Sequence, residues 1–322
     1  MPKKFVFVVH ALSPLHRKVM GLRFRRWSVA FGKADGSDPQ DIRHICRFKY
    51  GHDFIGDVVG IPMPPTEFLA DPEVALRRMI RAVHWSARDG IKPEAIGLGS
   101  LCSVVAGRGE ALQAHFDVPV TTGHAGTTWC LYQNIMRRLQ ESRQNQVAVV
   151  GASSPVGTAL TKMLSNNGVS VIVDSKKAAR KTNAKVVRSP EEAVAHAQII
   201  AGTATTGPYL NPSGLQPGSH LYDISLPQSL SAKPLNNISV WTGETMSMPR
   251  SWDRGFWGPI YHLISGYGWN TVLACLLEPL MVLADSKHLP FAQGRFIHPD
   301  AVLRFGELAT ELGFCVKPSL VR

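Results

Sequence analysis

The sequence predicts an α/β protein built on a doubly wound parallel sheet, with a second α/β domain and C-terminal helices beside it. Two observations carry this. In residues 146–160, QVAVVGASSPVGTAL, the apolar run Val147, Ala148, Val149 and Val150 leads to Gly151, and Gly157 opens a helix. Further apolar runs at 169–173, 199–202 and 220–224 follow, with a helical stretch at 189–197 between the second and third, so strands and helices alternate as in a Rossmann-type parallel sheet. A chain of 322 residues holds two domains with full cores.

The first turn has the form of a phosphate cradle. A parallel strand delivers the chain, and glycine lets the backbone turn so that amide N–H groups face a pyrophosphate at the helix N-terminus. The candidate cofactor residues are Gly151, Ala152, Ser153, Ser154, Pro155, Val156 and Gly157. Ser154 stands where the usual fingerprint has its middle glycine, which makes this a variant of that fingerprint. The next strand ends at Asp174, placed to hold a ribose hydroxyl and so favouring NAD. Ser175, Lys176 and Lys177 follow at once and favour a 2′-phosphate, hence NADPH with NADH as the alternative.

The remaining elements are read in chain order. Residues 5–9 form a first strand rather than a leader, because His10 interrupts the apolar stretch and no small-residue cleavage site follows. The chain then reads as irregular and charged to about Pro65. Residues 72–86 form an amphipathic helix, with Val74, Met79, Ile80 and Val83 on the apolar face. A strand at 96–98 and an apolar run at 104–106 flank Gly99-Ser100-Leu101-Cys102-Ser103, and another strand at 118–122 precedes Gly123 and a helix from 127 to about 142. After the sheet ends near 240–243, an apolar helix is expected at 270–284 and a last helix at 299–312, stopped by Gly313. The expected organisation is an N-terminal α/β substrate domain at 1–145, an NAD(P)-binding domain at 146–244, and a helical segment at 245–322 that carries Cys275 and packs on the N-terminal domain.

Composition narrows the function classes. No apolar run is long enough to span a membrane. Five cysteines without a Cys-x-x-Cys pair argue against a disulfide framework or a zinc site, so no metal is expected and a reducing cytoplasm suits the chain. The net charge of +11 is clustered at Arg17, Lys18, Arg23, Arg25 and Arg26, at Arg77, Arg81 and Arg88, and at Arg137, Arg138 and Arg143. Such clusters suit an acidic partner, but no nucleic-acid motif accompanies them.

The candidate chemical groups lie mostly at the carboxyl ends of strands, where α/β active sites form. They are His10, His16, Ser103, Thr121, Thr122 and His124, with Cys275 and Glu278 on one face of the apolar helix. Taken singly, each of the loop residues reads as a capped loop position before a catalyst, and Cys275 as a buried structural cysteine before a nucleophile.

Several islands, in order, resemble the long-chain acyl-[acyl-carrier-protein] reductases. His10-Ala11-Leu12-Ser13 with His16 resembles that family's His-Leu-Thr-Ser and following His. Residues 98–105 are similar to its Gly-Gly-Phe-Ser-Ser-Ile-Val stretch, and residues 121–127 to Thr-Thr-Gly-Asn-Thr-His-Thr. The nucleotide turn is similar to Gly-Ala-Thr-Gly-Asp-Ile-Gly, residues 274–278 to Ala-Cys-Phe-Ala-Glu, and residues 313–315 to Gly-Phe-Cys. Residues 17–70 and 246–268 find no counterpart. The resemblance implies NADPH-dependent reduction of a fatty acyl thioester, carried on acyl-carrier protein or coenzyme A, to a fatty aldehyde that an aldehyde-consuming enzyme could take up. Cys275 would be the nucleophile, Ser103, Thr121 or Thr122 would stabilise the oxyanion, and His10, His16 or His124 would move the proton. The alternatives are another NAD(P)-dependent oxidoreductase of shikimate-dehydrogenase-like or glutamyl-tRNA-reductase-like architecture, and a non-catalytic dinucleotide-sensing regulator.

Overall fold

A computed structural model describes residues 2–11, 42–180, 182–204, 207–225, 228–234, 237–253 and 270–320. His16 and the arginine cluster at 17–26 lie outside the described residues. The chain forms two compact units. Unit 1 comprises residues 1–123, 249–269 and 275–294, and unit 2 comprises 124–248, 270–274 and 295–322. The helix after Gly123 therefore groups with the nucleotide sheet rather than with residues 1–123, whereas Cys275 groups with the N-terminal residues.

Unit 1 is a mixed sheet. Strand β1 (Lys3–His10) lies between β3 (Phe54–Ile61) and β4 (Ala95–Leu98), parallel to both, and β4 is parallel to β5 (Val120–Thr121). On the other side β2 (Arg43–Tyr50) pairs antiparallel with β3, although residues before Pro65 read as irregular. The reason is visible in the residues. On β2 only Cys46 and Phe48 are buried while Arg47 and Lys49 point away, and β3 is interrupted by Gly56, Asp57 and Gly60. Gly56 is required because the Phe5 ring fills the space of any Cβ there. Asp57 is tolerated because it is fully paired: Lys4 Nζ lies at 3.0 Å, Arg47 bonds it at 2.7 and 2.8 Å, and His44 at 3.0 Å. Burial would raise the Asp57 carboxyl, but the Arg47 and His44 bonds outweigh it and hold the group well below the usual range.

Helix α1 (Pro65–Ala70) and helix α2 (Pro72–Ser86) cover this sheet. Helix α2 starts where Asp71 accepts a bond from Val74 N–H at 3.0 Å and Pro72 takes the first helical position. It buries Ala75, Met79, Ala82 and Val83 against Val6, Val8, Val59 and Ile96. Each such aliphatic side chain contributes about 1.5–3 kcal/mol when fully buried. Beyond β4 come two short helices, α3 (Leu101–Val105), which takes up much of the apolar run at 104–106, and α4 (Glu110–Gln113).

Unit 2 opens with helix α5 (His124–Ser142) and then carries six strands, all parallel: β6 (Gln146–Val150), β7 (Ser170–Val173), β8 (Lys185–Val186), β9 (Ile199–Gly202), β10 (His220–Asp223) and β11 (Ser239–Thr242). Their spatial order is β11-β10-β9-β6-β7-β8. The chain begins in the middle, adds two strands on one side, returns, and adds three on the other. That is the doubly wound Rossmann order, and its reversal falls between β6 and β9. Helix α6 (Pro155–Asn166) follows β6, and helix α7 (Pro190–Val194) follows β8.

A small antiparallel sheet of β12 (Thr245–Ser247), β14 (Thr271–Leu273) and β15 (Cys315–Val316) completes unit 2, together with helix α9 (Pro299–Glu311). Helix α9 packs on α5, where Gly306 leaves room for the Trp129 ring. Because Thr271–Leu273 pair with β12, the apolar helix expected from residue 270 starts later, as α8 (Ala274–Ala284). A short strand β13 (Trp252–Asp253) pairs with β2 in unit 1.

Candidate active site

Unit 2 places its glycine turn at the carboxyl end of β6, on the switch point between β6 and β9. Gly151 has φ +72°, and a Cβ there would come within 2.5 Å of the Ala204 Cα. Only glycine fits. Gly157 is required for a different reason: a Cβ would lie 2.6 Å from Thr203 Oγ1 and 2.7 Å from Ala152 Cα, so helix and strands could not approach so closely. Thr203 Oγ1 itself lies 2.9 Å from Val150 O and 3.0 Å from Gly151 O, tying the end of β9 to the turn.

Ser154 has φ −64° and ψ 158°, an ordinary extended conformation, so the missing middle glycine costs no backbone strain. Its Oγ accepts from Gly157 N–H at 2.9 Å and caps α6, and Pro155 occupies the first helical position. Ser153 is exposed, whereas Ala152, Pro155 and Val156 are buried. Asp174 accepts from Gly151 N–H at 2.8 Å and from Ala152 N–H at 3.0 Å. The carboxylate thus stands against the turn and takes up its first two amides. Beside it Ser175 is half-buried, and Lys176 and Lys177 are exposed in a turn.

The ends of β9 and β10 add a polar cluster that the sequence did not single out. Asp223 accepts from Ser225 N–H at 3.0 Å, from Ser229 N–H at 2.8 Å and from Ser229 Oγ at 2.7 Å. Tyr209 Oη lies 2.7 Å from Ser229 Oγ. Gly202 leaves space for this group, since a Cβ there would lie 2.6 Å from Asp223 Oδ1.

Unit 1 assembles the cysteine and its surroundings along the carboxyl ends of β1, β4 and β5. Cys275 occupies the first turn of α8 and is half-buried. It sits against Gly123, whose φ is +77°. Glu278, one turn further, is fully buried and accepts from Gly123 N–H at 3.1 Å and from the Thr121 hydroxyl. Pro279 packs on Gly97 of β4, where a Cβ would lie 2.7 Å from its ring. Together these contacts fix α8 on the sheet.

By contrast, Cys46, Cys102 and Cys130 are buried, and burial pushes their thiols up, out of the range of a reactive thiolate. Cys315 is exposed on β15.

The hydroxyls proposed for oxyanion binding are committed within the protein. Thr121 Oγ1 has Glu278 and Ala292 O as acceptors, and Thr122 Oγ1 donates to Ala292 O at 3.1 Å. Ser103 Oγ donates to Ser100 O at 2.9 Å. These three residues shape the strand ends. His124 opens helix α5 in unit 2, and its carbonyl accepts from Thr128 Oγ1 at 2.7 Å.

His10 is buried at the end of β1. Its Nδ1 lies 2.9 Å from Ala11 O, and its Nε2 lies 3.2 Å from Ser100 Oγ and 3.3 Å from Leu101 N. Burial lowers its pKa, opposed in part by bonds to the Ala11 and Met63 carbonyls. Ser100, absent from the sequence candidates, has φ +51° and ψ −132° and is half-buried. Its signal in the sequence was Gly-Ser at the exit of a strand, flanked by small residues.

No family model matches the chain. Among curated proteins it is similar to the aminotransferase PigE of a Serratia species, with 25% identity over 283 residues, covering 82% of this chain and 32% of that protein. The chain thus spans about a third of the length of the curated relative it matches. This finding corrects the assignment to the long-chain acyl-[acyl-carrier-protein] reductases, which is withdrawn. The islands that fall on described residues lie mostly at strand ends, tight turns and helix ends, where the fold itself demands small residues, as at Gly123, Gly151 and Gly157.

Among solved structures, L-tryptophan dehydrogenase from Nostoc punctiforme aligns with a TM-score of 0.35 and 15% identity, over 97% of this chain and 88% of that one. The Trypanosoma brucei methylenetetrahydrofolate dehydrogenase-cyclohydrolase complexed with NADP aligns with a TM-score of 0.31 and 12% identity, over 69% and 68%. Neither likeness is close enough to bear on function. No helix among the described residues is long and apolar enough to cross a membrane.

Proposed function

We propose that the protein is an NAD(P)H-dependent oxidoreductase that reduces an acyl thioester to an aldehyde through an acyl intermediate on Cys275. The observation that carries the nucleotide half is the position of the Gly151 turn at the switch point of an all-parallel, doubly wound sheet. Gly151 and Gly157 hold the turn tight against Ala204, Thr203 and Ala152, the close approach of strand end and helix start that a pyrophosphate-binding turn uses. Gly151, Ala152, Ser153, Ser154 and Val156 would line it, and Asp174 would hold the ribose. Ser175, Lys176 and Lys177 favour a 2′-phosphate, hence NADPH over NADH. When bound, the nicotinamide supplies hydride.

The remaining chemistry belongs to the chain. The Cys275 thiolate attacks the thioester carbonyl, the carrier thiol leaves, and one thioester replaces another. The acyl-cysteine takes up that hydride and a proton from water to become a hemithioacetal on Cys275, whose C–S bond then breaks to release the aldehyde and return the thiol. Glu278 acts as a positioning residue by holding Gly123 and Thr121 in place beneath the cysteine. The basic charge of +11 suits an acidic carrier protein or the phosphates of coenzyme A, in a cytoplasmic setting. An aldehyde is also an amino acceptor for transamination. That agrees with similarity to about a third of a protein named an aminotransferase.

The test is nucleotide titration followed by a coupled assay. NADPH should bind more tightly than NADH, and its oxidation should require an acyl thioester and yield aldehyde. A protein that binds neither nucleotide would overturn the reading.

A further inference from the structure

We infer that Ser100 and His10 form a second acyl-accepting centre in unit 1, a serine nucleophile with its own general base, independent of Cys275. The placement follows from the sheet. β1 and β4 are parallel neighbours with Val8 opposite Leu98, so continuing the register by two residues brings His10 level with Ser100. Strand β4 then turns sharply into α3, and Ser100 sits on that turn with φ +51° and ψ −132°. A non-glycine residue in this region is strained, and a serine strained between a strand and a helix presents its Oγ away from the backbone. Gly99 before it is needed for space, since a Cβ would lie 2.8 Å from Val9 Cγ1. Cys102 stands two residues after Ser100, and Leu98 two residues before it, where the best-known serine elbows carry glycine.

The hydrogen bonds assign the histidine tautomer. Leu101 N–H can only donate, so the His10 Nε2 it reaches at 3.3 Å carries the lone pair. Nδ1 therefore carries the proton and donates to Ala11 O at 2.9 Å. The same Nε2 lone pair faces Ser100 Oγ at 3.2 Å. This is the arrangement a general base needs, with a backbone carbonyl orienting the ring in place of a carboxylate. Burial keeps the ring neutral, and Phe68 stacks on it with centroids 4.9 Å apart. Ser103 Oγ, bonded to Ser100 O at 2.9 Å, steadies the turn.

The substrate class is an activated acyl group, an ester or thioester. Ser100 Oγ gives its proton to His10 Nε2 and bonds to the carbonyl carbon. Once Nε2 is protonated it no longer accepts from Leu101 N–H, which is released to the oxyanion. The bond from carbon to the leaving oxygen or sulfur then breaks, and the leaving group takes the proton from Nε2. Water, deprotonated by His10, attacks the acyl-serine ester and frees the carboxylic acid and the serine hydroxyl.

The experiment is labelling of the folded full-length protein with a biotinylated fluorophosphonate, with the adduct located by peptide mass spectrometry. Wild type and Cys275→Ala should both gain the adduct on Ser100. Ser100→Gly, which also relieves the backbone strain and so should fold, should lose it. His10→Gln should slow labelling by about 100-fold or more, the scale of a lost general base. The heat-unfolded protein should not label. An adduct elsewhere, no adduct on folded wild type, or equal labelling of His10→Gln would overturn the inference. None of these outcomes depends on nucleotide binding or on Cys275.

Discussion

Gly123 lies against Cys275 so closely that a Cβ on the glycine would overlap that of the cysteine and come within 2.8 Å of its Cα. Gly123 also has φ +77°, which disfavours any side chain, and gives its N–H to Glu278 at 3.1 Å. One residue therefore sets both the backbone path after β5 and the seat of the candidate nucleophile. Gly123→Ala should destabilise the protein by about 1–3 kcal/mol, the scale of overpacking, and should change the alkylation rate of Cys275 by iodoacetamide. Urea unfolding and timed alkylation check both. An unchanged alkylation rate would separate Gly123 from the cysteine's reactivity.

Glu278 supports the same strand end. Glu278→Gln keeps an acceptor for Gly123 N–H and Thr121 Oγ1 and should preserve most of the stability. Glu278→Leu leaves two buried donors without this acceptor and should cost at least about 1–3 kcal/mol. Thermal unfolding of the pair of variants distinguishes an acceptor role from a packing role.

At the nucleotide turn, Gly151→Ala should abolish NADPH binding, because the added methyl meets the Ala204 backbone. Ser154→Ala should cost about 1 kcal/mol by removing the cap on Gly157 N–H, while Ser154→Gly should cost only a few tenths. Titration calorimetry and chemical denaturation read the two effects separately. Replacing Lys176 and Lys177 by Glu should weaken NADPH about 10-fold or more while sparing NADH, from loss of charge-assisted contacts to a 2′-phosphate.

Asp57, held by Arg47 and His44, contributes to acid stability. The Asp57 carboxyl is held below its ordinary 3.8, so the folded state binds fewer protons than the unfolded state near that pH. The stabilisation is present above about pH 3.8 and is lost as pH falls toward the folded value. Asp57→Asn removes one of the two carboxylates paired with the fully buried Lys4, the other being Asp89 at 2.8 Å, together with the partner of Arg47, and should cost about 3–5 kcal/mol at neutral pH. Urea unfolding as a function of pH checks this: the gap between wild type and variant should narrow in acid.

Much of the fold was legible where local signals agreed. Helix α2 has a cap, an N-terminal proline and an apolar face of the right period, and it runs from Pro72 to Ser86 as expected. The apolar parallel strands β6, β7, β9 and β10 were legible for the same reason. The β2–β3 hairpin was not, because Gly56 exists to admit Phe5 and Asp57 exists to meet Lys4 and Arg47, and neither partner is close in sequence. At the candidate site, Gly151 and Gly157 were readable from spacing. Ser100 was not, because its meaning lies in a backbone angle and in a histidine on the neighbouring strand. Thr121 and Thr122 misled in the opposite sense: exposed loop hydroxyls and buried structural ones look alike in sequence.

The measurement that tests the central claim most directly is intact-protein mass spectrometry after mixing with a long-chain acyl-coenzyme A or acyl-carrier protein, without nucleotide. Ser100→Gly, which lacks the second acceptor, should gain one acyl mass, localised to Cys275, that NADPH discharges as aldehyde, while the double variant Ser100→Gly with Cys275→Ala should gain none. An acyl adduct that forms equally on the double variant, or no adduct on a Ser100→Gly protein that still binds NADPH, would contradict the account.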